Sequence, residues 1–209
     1  MIHEILPVGP LRCNCSVIGD EVSREAMVID PGDDIEDVLA IVRKHNLTVK
    51  QIVITHAHID HVGGASKLRA ITGAPILLNQ NDYDLLKMLD EQAEWIGVSS
   101  PGKIDIDQSV AQADTIKAGS LSADVLHTPG HTEGSICLYF STEQKLIAGD
   151  TLFAGSIGRT DLPGGSMNKI IRSIHEKVLA LPDDTVVVPG HGPLTTIGEE
   201  RESNPFLQN

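Results

Sequence analysis

The ten residues THAHIDHVGG, Thr55 to Gly64, constrain this chain more than any other stretch. They follow the apolar run Gln51-Ile52-Val53-Ile54, which reads as a buried strand. A solvated loop has no need of three imidazoles and a carboxylate, and at the end of a core strand such groups are costly unless something binds them. His56 and His58 are separated by one residue, so on an extended stretch both side chains project to one side and can share one ion. Asp60 and His61 follow directly, and Gly63-Gly64 are expected to let the backbone turn sharply. A metal site accounts for the pattern. The scaffold must then be one whose core strands deliver ligands from their ends.

Three more residues repeat this placement. His131 lies in TPGHTEGS, after the strand-like VLHT; Asp150 lies in LIAGDTLF; His191 lies in VVVPGHGP. Each is a ligand-type residue at a strand-to-loop junction beside glycine. Seven ligands, His56, His58, Asp60, His61, His131, Asp150 and His191, are too many for one tetrahedral ion and suit two ions sharing a bridging carboxylate. Of the other histidines, His3 and His45 read as surface residues. His175 falls mid-helix, facing solvent or supporting a ligand. His127 stands four residues before His131, but the intervening Thr-Pro-Gly turns the chain and excludes helical i, i+4 ligation. A role in supporting a ligand, or a structural one, is expected for it.

The rest of the chain alternates strands and helices. IHEILPV, CNCSVIGD and EAMVID read as a strand meander. Ile35, Val38, Leu39 and Val42 recur on one helical face, with Asp33 or Asp34 as the expected cap. A strand over Val49–Thr55, a helix over Ala65–Thr72 ending at Gly73, a short strand PILLN and one helix marked by Leu85, Leu86, Leu89, Ala93 and Ile96 follow. Residues 97–120 read as loop with a short strand. Then come strands SADVLHT, SICLYFS and KLIAGDTLF, a helix over Ile170–Leu181 and a final buried strand TVVVPGHG. This order predicts a layered α/β fold, sheets inside and helices outside. The length of 209 residues suits one domain.

Charge narrows the partners. With 16 Lys and Arg against 29 Asp and Glu the net charge is −13, which repels phosphate backbones and argues against nucleic acid or anionic membrane as a partner. No run of about 18 apolar residues is present, and no basic stretch precedes an apolar one at the start, so neither a spanning helix nor a signal peptide is expected. The three cysteines are an odd number. Without a secretory signal this favours reduced thiols and a cytoplasmic location. Cys13 and Cys15 share one strand face. Their spacing is not CxxC, so packing is preferred over metal binding.

THAHIDHVGG with TPGHTEGS, GDTLF and PGHG, in that order, resembles the metallo-β-lactamase superfamily. It looks closest to the glyoxalase II type, the hydroxyacylglutathione hydrolases. GSIGRTDLPGGS after Asp150 is similar to the small single-domain bacterial members. The resemblance implies one metallo-β-lactamase-like domain over 1–209, a four-layer αββα sandwich with metals at one edge of the two sheets. It implies that His56, His58 and His131 hold the first metal, Asp60, His61 and His191 the second, and that Asp150 bridges both. Two divalent ions, zinc first and iron or manganese as alternatives, can share a water and lower its pKa towards about 7. The implied activity is thioester hydrolysis, with S-D-lactoylglutathione or a related acyl-thioester of a glutathione-type thiol as substrate. Asp60 is given a second, catalytic role in orienting the nucleophile.

Arg159 reads either as a clamp for a substrate carboxylate or as the partner of Asp161; Gly158 and Thr160 are further candidate substrate contacts. The larger glyoxalase II enzymes carry a C-terminal helical domain that helps bind glutathione. Here IGEERESNPFL reads as one short helix and a tail, so those contacts are expected to be absent. Within the fold the rivals are a persulfide dioxygenase with one iron on His56, His131 and Asp150, and a lactonase. A β-lactamase places Cys or Ser where Asp150 stands, and a nuclease fits the charge poorly. A metal-binding sensor without activity would be expected to lack one of the seven ligands, and none is missing.

Overall fold

The computed structural model describes residues 1–208. Contacts divide it into two compact units, residues 1–110 with 117–121, and residues 111–116 with 122 onward.

The first unit is built on a six-stranded sheet whose order follows the chain: β1 (Ile2–Val8), β2 (Cys13–Gly19), β3 (Glu25–Ile29), β4 (Thr48–Val53), β5 (Ile76–Leu78) and β6 (Gln108–Ser109). The first three strands are antiparallel, as tight connections allow. From β3 onward the strands are parallel, because helices carry the crossovers. These are α1 (Ile35–Lys44), α2 (Ile59–Val62), α3 (Ala65–Thr72), α4 (Tyr83–Leu86) and α5 (Leu89–Ile96). Parallel strands put their C-terminal ends on one rim, and the segments after β3 and β4 leave from there. With aromatics at 3 %, the core is aliphatic, centred on fully buried Ile52, Ile54, Leu68, Ile76 and Leu78. The expected face of α1, Ile35, Val38, Leu39 and Val42, is buried.

Two local expectations are corrected. Asp34 stands at the N-cap of α1, as one of the two expected residues, but its side chain does not cap the helix: its backbone is left-handed (φ 50°), and its carboxylate instead accepts from the Gly9 amide at 2.9 Å. The single helix expected over Leu85–Ile96 is broken. The Leu85 carbonyl accepts from the Met88 amide at 3.0 Å and from the Gln92 side chain at 3.1 Å, and α5 begins afresh at Leu89.

The second sheet runs in the order β14-β13-β10-β9-β8-β7, with β7 (Thr115–Ala118), β8 (Leu121–His127), β9 (Ile136–Phe140), β10 (Lys145–Gly149), β13 (Val186–Pro189) and β14 (Thr195–Thr196); β11 (Leu152–Phe153) and β12 (Ser156–Ile157) form a separate hairpin. KLIAGDTLF is therefore not one strand. β10 ends at Gly149 (φ 48°), the Thr151 amide donates back to the Ala148 carbonyl at 3.1 Å, and Asp150 leaves the sheet in that turn. The expected helix over Ile170–Leu181 is α6 (Met167–Ser173), continued as a π-helical turn through Val178, with Ile170, Ile174 and Val178 buried. Short α7 (Ile197–Ser203) is closed by a capping box of Thr196 and Glu199.

His127 is structural, as expected: its amide donates to Gln112 Oε1 at 3.0 Å and its Nε2 lies 2.9 Å from the Glu133 carbonyl oxygen. His3 and His45 are half-buried rather than on the surface, against Ser16 at 3.0 Å and Glu4 at 2.7 Å; His175 is exposed. Among the described residues no helix is long and apolar enough to cross a membrane.

Candidate metal centre

In the first unit the four ligand candidates of THAHIDHVGG sit on a loop and a one-turn helix. His58 is extended (φ −78°, ψ 144°), and Asp60 and His61 lie in α2. His56, His58 and His61 are buried, and the Asp60 side chain is 12 % exposed. His56 Nε2 and His58 Nδ1 are 3.1 Å apart, and His61 Nε2 is 3.7 Å from Asp60 Oδ2. Two donors at about 2.0–2.2 Å from one cation in tetrahedral array are separated by about this much. Gly63 and Gly64 form the turn between α2 and α3, as expected, but with right-handed backbone angles (φ −55° and −87°) that any residue adopts. What requires glycine is close approach: a Cβ on Gly64 would stand 2.5 Å from the Pro31 carbonyl oxygen.

The loop is held by buried polar side chains that the sequence reading did not assign. Asp30, after β3, accepts from the Thr55 amide and hydroxyl at 2.7 Å each and lies 2.9 Å from His61 Nδ1. Asp82 accepts from the Ala57 amide at 2.9 Å. Gln92 accepts from the Ile59 amide at 2.9 Å and donates to the Ala57 carbonyl at 3.2 Å. Gln92 left a signal: it is polar, yet shares the apolar face of Leu89, Ala93 and Ile96 at i, i+3, i+4, i+7 spacing. Asp30 left none beyond its position after a strand, where Asp-Pro-Gly reads as a turn.

In the second unit His131 follows β8, Asp150 follows β10 and His191 follows β13. His131 Nε2 is 3.6 Å and His191 Nε2 3.7 Å from the same oxygen, Asp150 Oδ2. A carboxylate oxygen at that distance from two imidazoles is placed as a shared ligand would be. Gly158 is buried and its amide donates to the Thr151 carbonyl at 3.4 Å. Thr160 is half-buried, and Arg159 is exposed and paired with Asp161.

Metal-binding histidines need one ring nitrogen held so that the other keeps its lone pair for the cation. Three rings have this arrangement. His56 Nδ1 is 3.0 Å from the Thr55 hydroxyl, His61 Nδ1 faces Asp30, and His131 Nδ1 donates to the Arg159 carbonyl at 2.8 Å. The donor chemistry, imidazole and carboxylate only, fits zinc, iron or manganese. In the first unit His61 belongs to a group of His, Cys and Asp donors whose atoms lie within 4.8 Å of one another. Replacing Asp30 by asparagine should weaken metal retention about 10–100-fold in a competitive chelator titration, because His61 loses the carboxylate that fixes its tautomer.

Cys13 joins Asp30 and His61 in one such group, its Sγ 3.5 Å from His61 Nδ1. Burial pushes its thiol up to about 12, so it stays protonated and packs. Cys13, Cys15 and Cys137 are free and fully buried, consistent with the packing role preferred for the first two.

Comparison with known proteins agrees with this geometry. The family model of the metallo-β-lactamase superfamily matches residues 8–191. A hydroxyacylglutathione hydrolase, GloC of Haemophilus influenzae, is 38 % identical over 99 % of this chain and 98 % of its own length. An uncharacterised protein of Aquifex aeolicus is 44 % identical over 99 % of this chain and 97 % of its own. Among solved structures, the BLEG-1 B3 metallo-β-lactamase superposes with TM-score 0.92 at 36 % identity, covering 100 % of both chains. TTHA1623, in a di-iron-bound form, gives 0.89 at 35 % identity over 98 % of this chain and 100 % of its own. The α/β fold expected from the sequence is thus the metallo-β-lactamase fold. With a family match over most of its length and a His and Asp donor set to go with it, the chain belongs to the metallo-β-lactamase superfamily as a metallo-hydrolase.

Proposed function

We propose that the chain is a thioester hydrolase of glyoxalase II type, acting on S-D-lactoylglutathione or a related acyl-thioester. In this reading His56, His58 and His131 hold one divalent cation, Asp60, His61 and His191 a second, and Asp150 bridges them in a single-domain enzyme. The observation that carries it is the position of Asp150 Oδ2, 3.6 Å from His131 and 3.7 Å from His191, two histidines assigned to different ions. The likeness to the Haemophilus hydrolase supports the thioester as substrate. When bound, two cations polarise the thioester carbonyl and make an ionised water available at neutral pH.

This chain's residues do the rest. Asp60 orients the attacking water. Thr55 and Asp30 hold the His56 and His61 rings, and the Arg159 carbonyl holds His131, so the ligands are preorganised. A thiolate leaves readily, which is why no dedicated general acid is called for. Zinc is the first choice for the cations, with iron next given the di-iron form of TTHA1623.

A second reading, β-lactam hydrolysis, is favoured by the likeness to BLEG-1. One screen separates the readings: metal-quantified protein assayed on thioester, lactone, persulfide and β-lactam. The proposal expects thioester cleavage to give the highest kcat/KM. Oxygen uptake with persulfide and no thioester cleavage would overturn it, as would a β-lactam cleaved faster than every thioester.

A further inference from the structure

Glu200 is a buried carboxylate, 2 % exposed, on a helix that supplies no ligand candidate. Its partners among the described residues are neutral donors. Oε1 accepts from the Thr195 hydroxyl at 2.7 Å, and Oε2 from the Asn204 side-chain amide at 2.7 Å. Both oxygens accept from the Gly155 amide, at 3.2 and 3.0 Å. A buried charge is costly unless it is hydrogen-bonded, and bonds to a charged acceptor are among the stronger ones. Capping does not explain the arrangement, because the first turn of α7 is already closed by Thr196 and Glu199. Glu200 reaches out of its helix instead.

It reaches the tip of the β11–β12 hairpin, which turns at Gly155 (φ 69°). Asn204 grips the same tip, donating to the Ser156 carbonyl at 3.0 Å. The base of the hairpin adjoins the ligand candidates of the second unit. Its first strand starts directly after the turn that holds Asp150, and its second strand runs into Gly158. A Cβ on Gly158 would stand 1.9 Å from the Asp150 carbonyl oxygen and 3.2 Å from His131 Cβ. Between these ends, the Phe153 ring lies 6.5 Å from the His191 ring, centroid to centroid. One short hairpin therefore borders Asp150, His131 and His191, and Glu200 holds its far end.

We propose that Glu200 is a positioning residue of the metal centre: by holding the Gly155 amide it fixes the hairpin, and through the hairpin the turn that presents Asp150. The inference rests on the ligand assignment made above for Asp150, His131 and His191, and adds a residue outside that set. What Glu200 supplies is reach and acceptor geometry rather than charge. A glutamine there keeps an oxygen for the Gly155 and Asn204 amides, and its NH2 can donate to the Thr195 hydroxyl. An aspartate keeps the charge but is one methylene shorter, which draws the carboxylate back from the hairpin tip. The two substitutions therefore separate position from charge.

The test reads zinc affinity by competitive chelator titration of the stripped full chain, beside urea unfolding of the same metal-free protein. Glu200→Asp should weaken zinc affinity about tenfold, as loss of a support behind a ligand does, while Glu200→Gln stays within about threefold. Thr196→Ala removes the cap of α7 without touching the hairpin; it should lower the urea midpoint and leave zinc affinity unchanged. Coupling is reciprocal, so zinc loading of the unsubstituted protein should slow hydrogen exchange at the Gly155 amide by about tenfold. That measurement decides the matter even where a variant does not fold. Zinc affinity unchanged in Glu200→Asp, or weakened more in Glu200→Gln, would overturn the proposal. So would an affinity that falls equally in Thr196→Ala, or Gly155 exchange indifferent to zinc. Failure of the unsubstituted chain to bind zinc would overturn the ligand assignment itself, and this inference with it.

Discussion

Asp150→Asn should lower kcat/KM for thioester by about a thousandfold or more, roughly 4 kcal/mol of transition-state stabilisation, and reduce bound metal below two ions per chain. The physical reason is charge and geometry together. Asp150 offers one oxygen to two neighbouring imidazole sites, 3.6 and 3.7 Å away. An amide oxygen carries no full negative charge to set against two dications, and its NH2 end cannot ligate at all. The variant should fold, since Asp150 stands in a turn after β10 with its side chain still 12 % exposed, outside the packed core. Elemental analysis and steady-state kinetics on the same sample read both effects. A loss of less than tenfold with two ions retained would mean that Asp150 does not bridge.

Gly158→Ala should damage stability and activity together. A Cβ there would lie 1.9 Å from the Asp150 carbonyl oxygen and 3.2 Å from His131 Cβ. The nearer atom is backbone, so no side-chain rotation relieves the clash. Relief requires moving the strand end that carries Asp150. Overpacking of this kind costs about 1–3 kcal/mol, and a ligand displaced by about 1 Å costs on the order of a hundredfold in rate. Gly32 has the matching position in the first unit, where a Cβ would come within 1.6 Å of the Asp60 carbonyl oxygen. Urea unfolding and thioester turnover measured on Gly158→Ala test the point: an unshifted midpoint with full activity would show that the loop adapts freely.

Much of this was legible in the sequence because ligands and strand ends announce themselves. The seven metal candidates could be named from their residue type, the glycine beside them and the apolar run before them. The supports could not. Asp30 reaches Thr55 and His61 because β3 and β4 are parallel neighbours, with Ile29 opposite Val53. That register joins residues some 25 positions apart and leaves no local mark. The break in KLIAGDTLF was hidden for another reason: its apolar pattern runs straight through Asp150, and only the sheet shows that the strand stops at Gly149. The split of α4 from α5 was equally invisible, since Gln92 competes for the Leu85 carbonyl through its side chain, a choice that periodicity does not register.

The most direct test of the central claim is a metal titration of the stripped protein, with bound ions and thioester turnover followed in the same samples. The account predicts that turnover is absent without divalent metal, rises with loading and reaches its plateau at two ions per chain. Full activity at one ion, or in a chelator that leaves none bound, would contradict it.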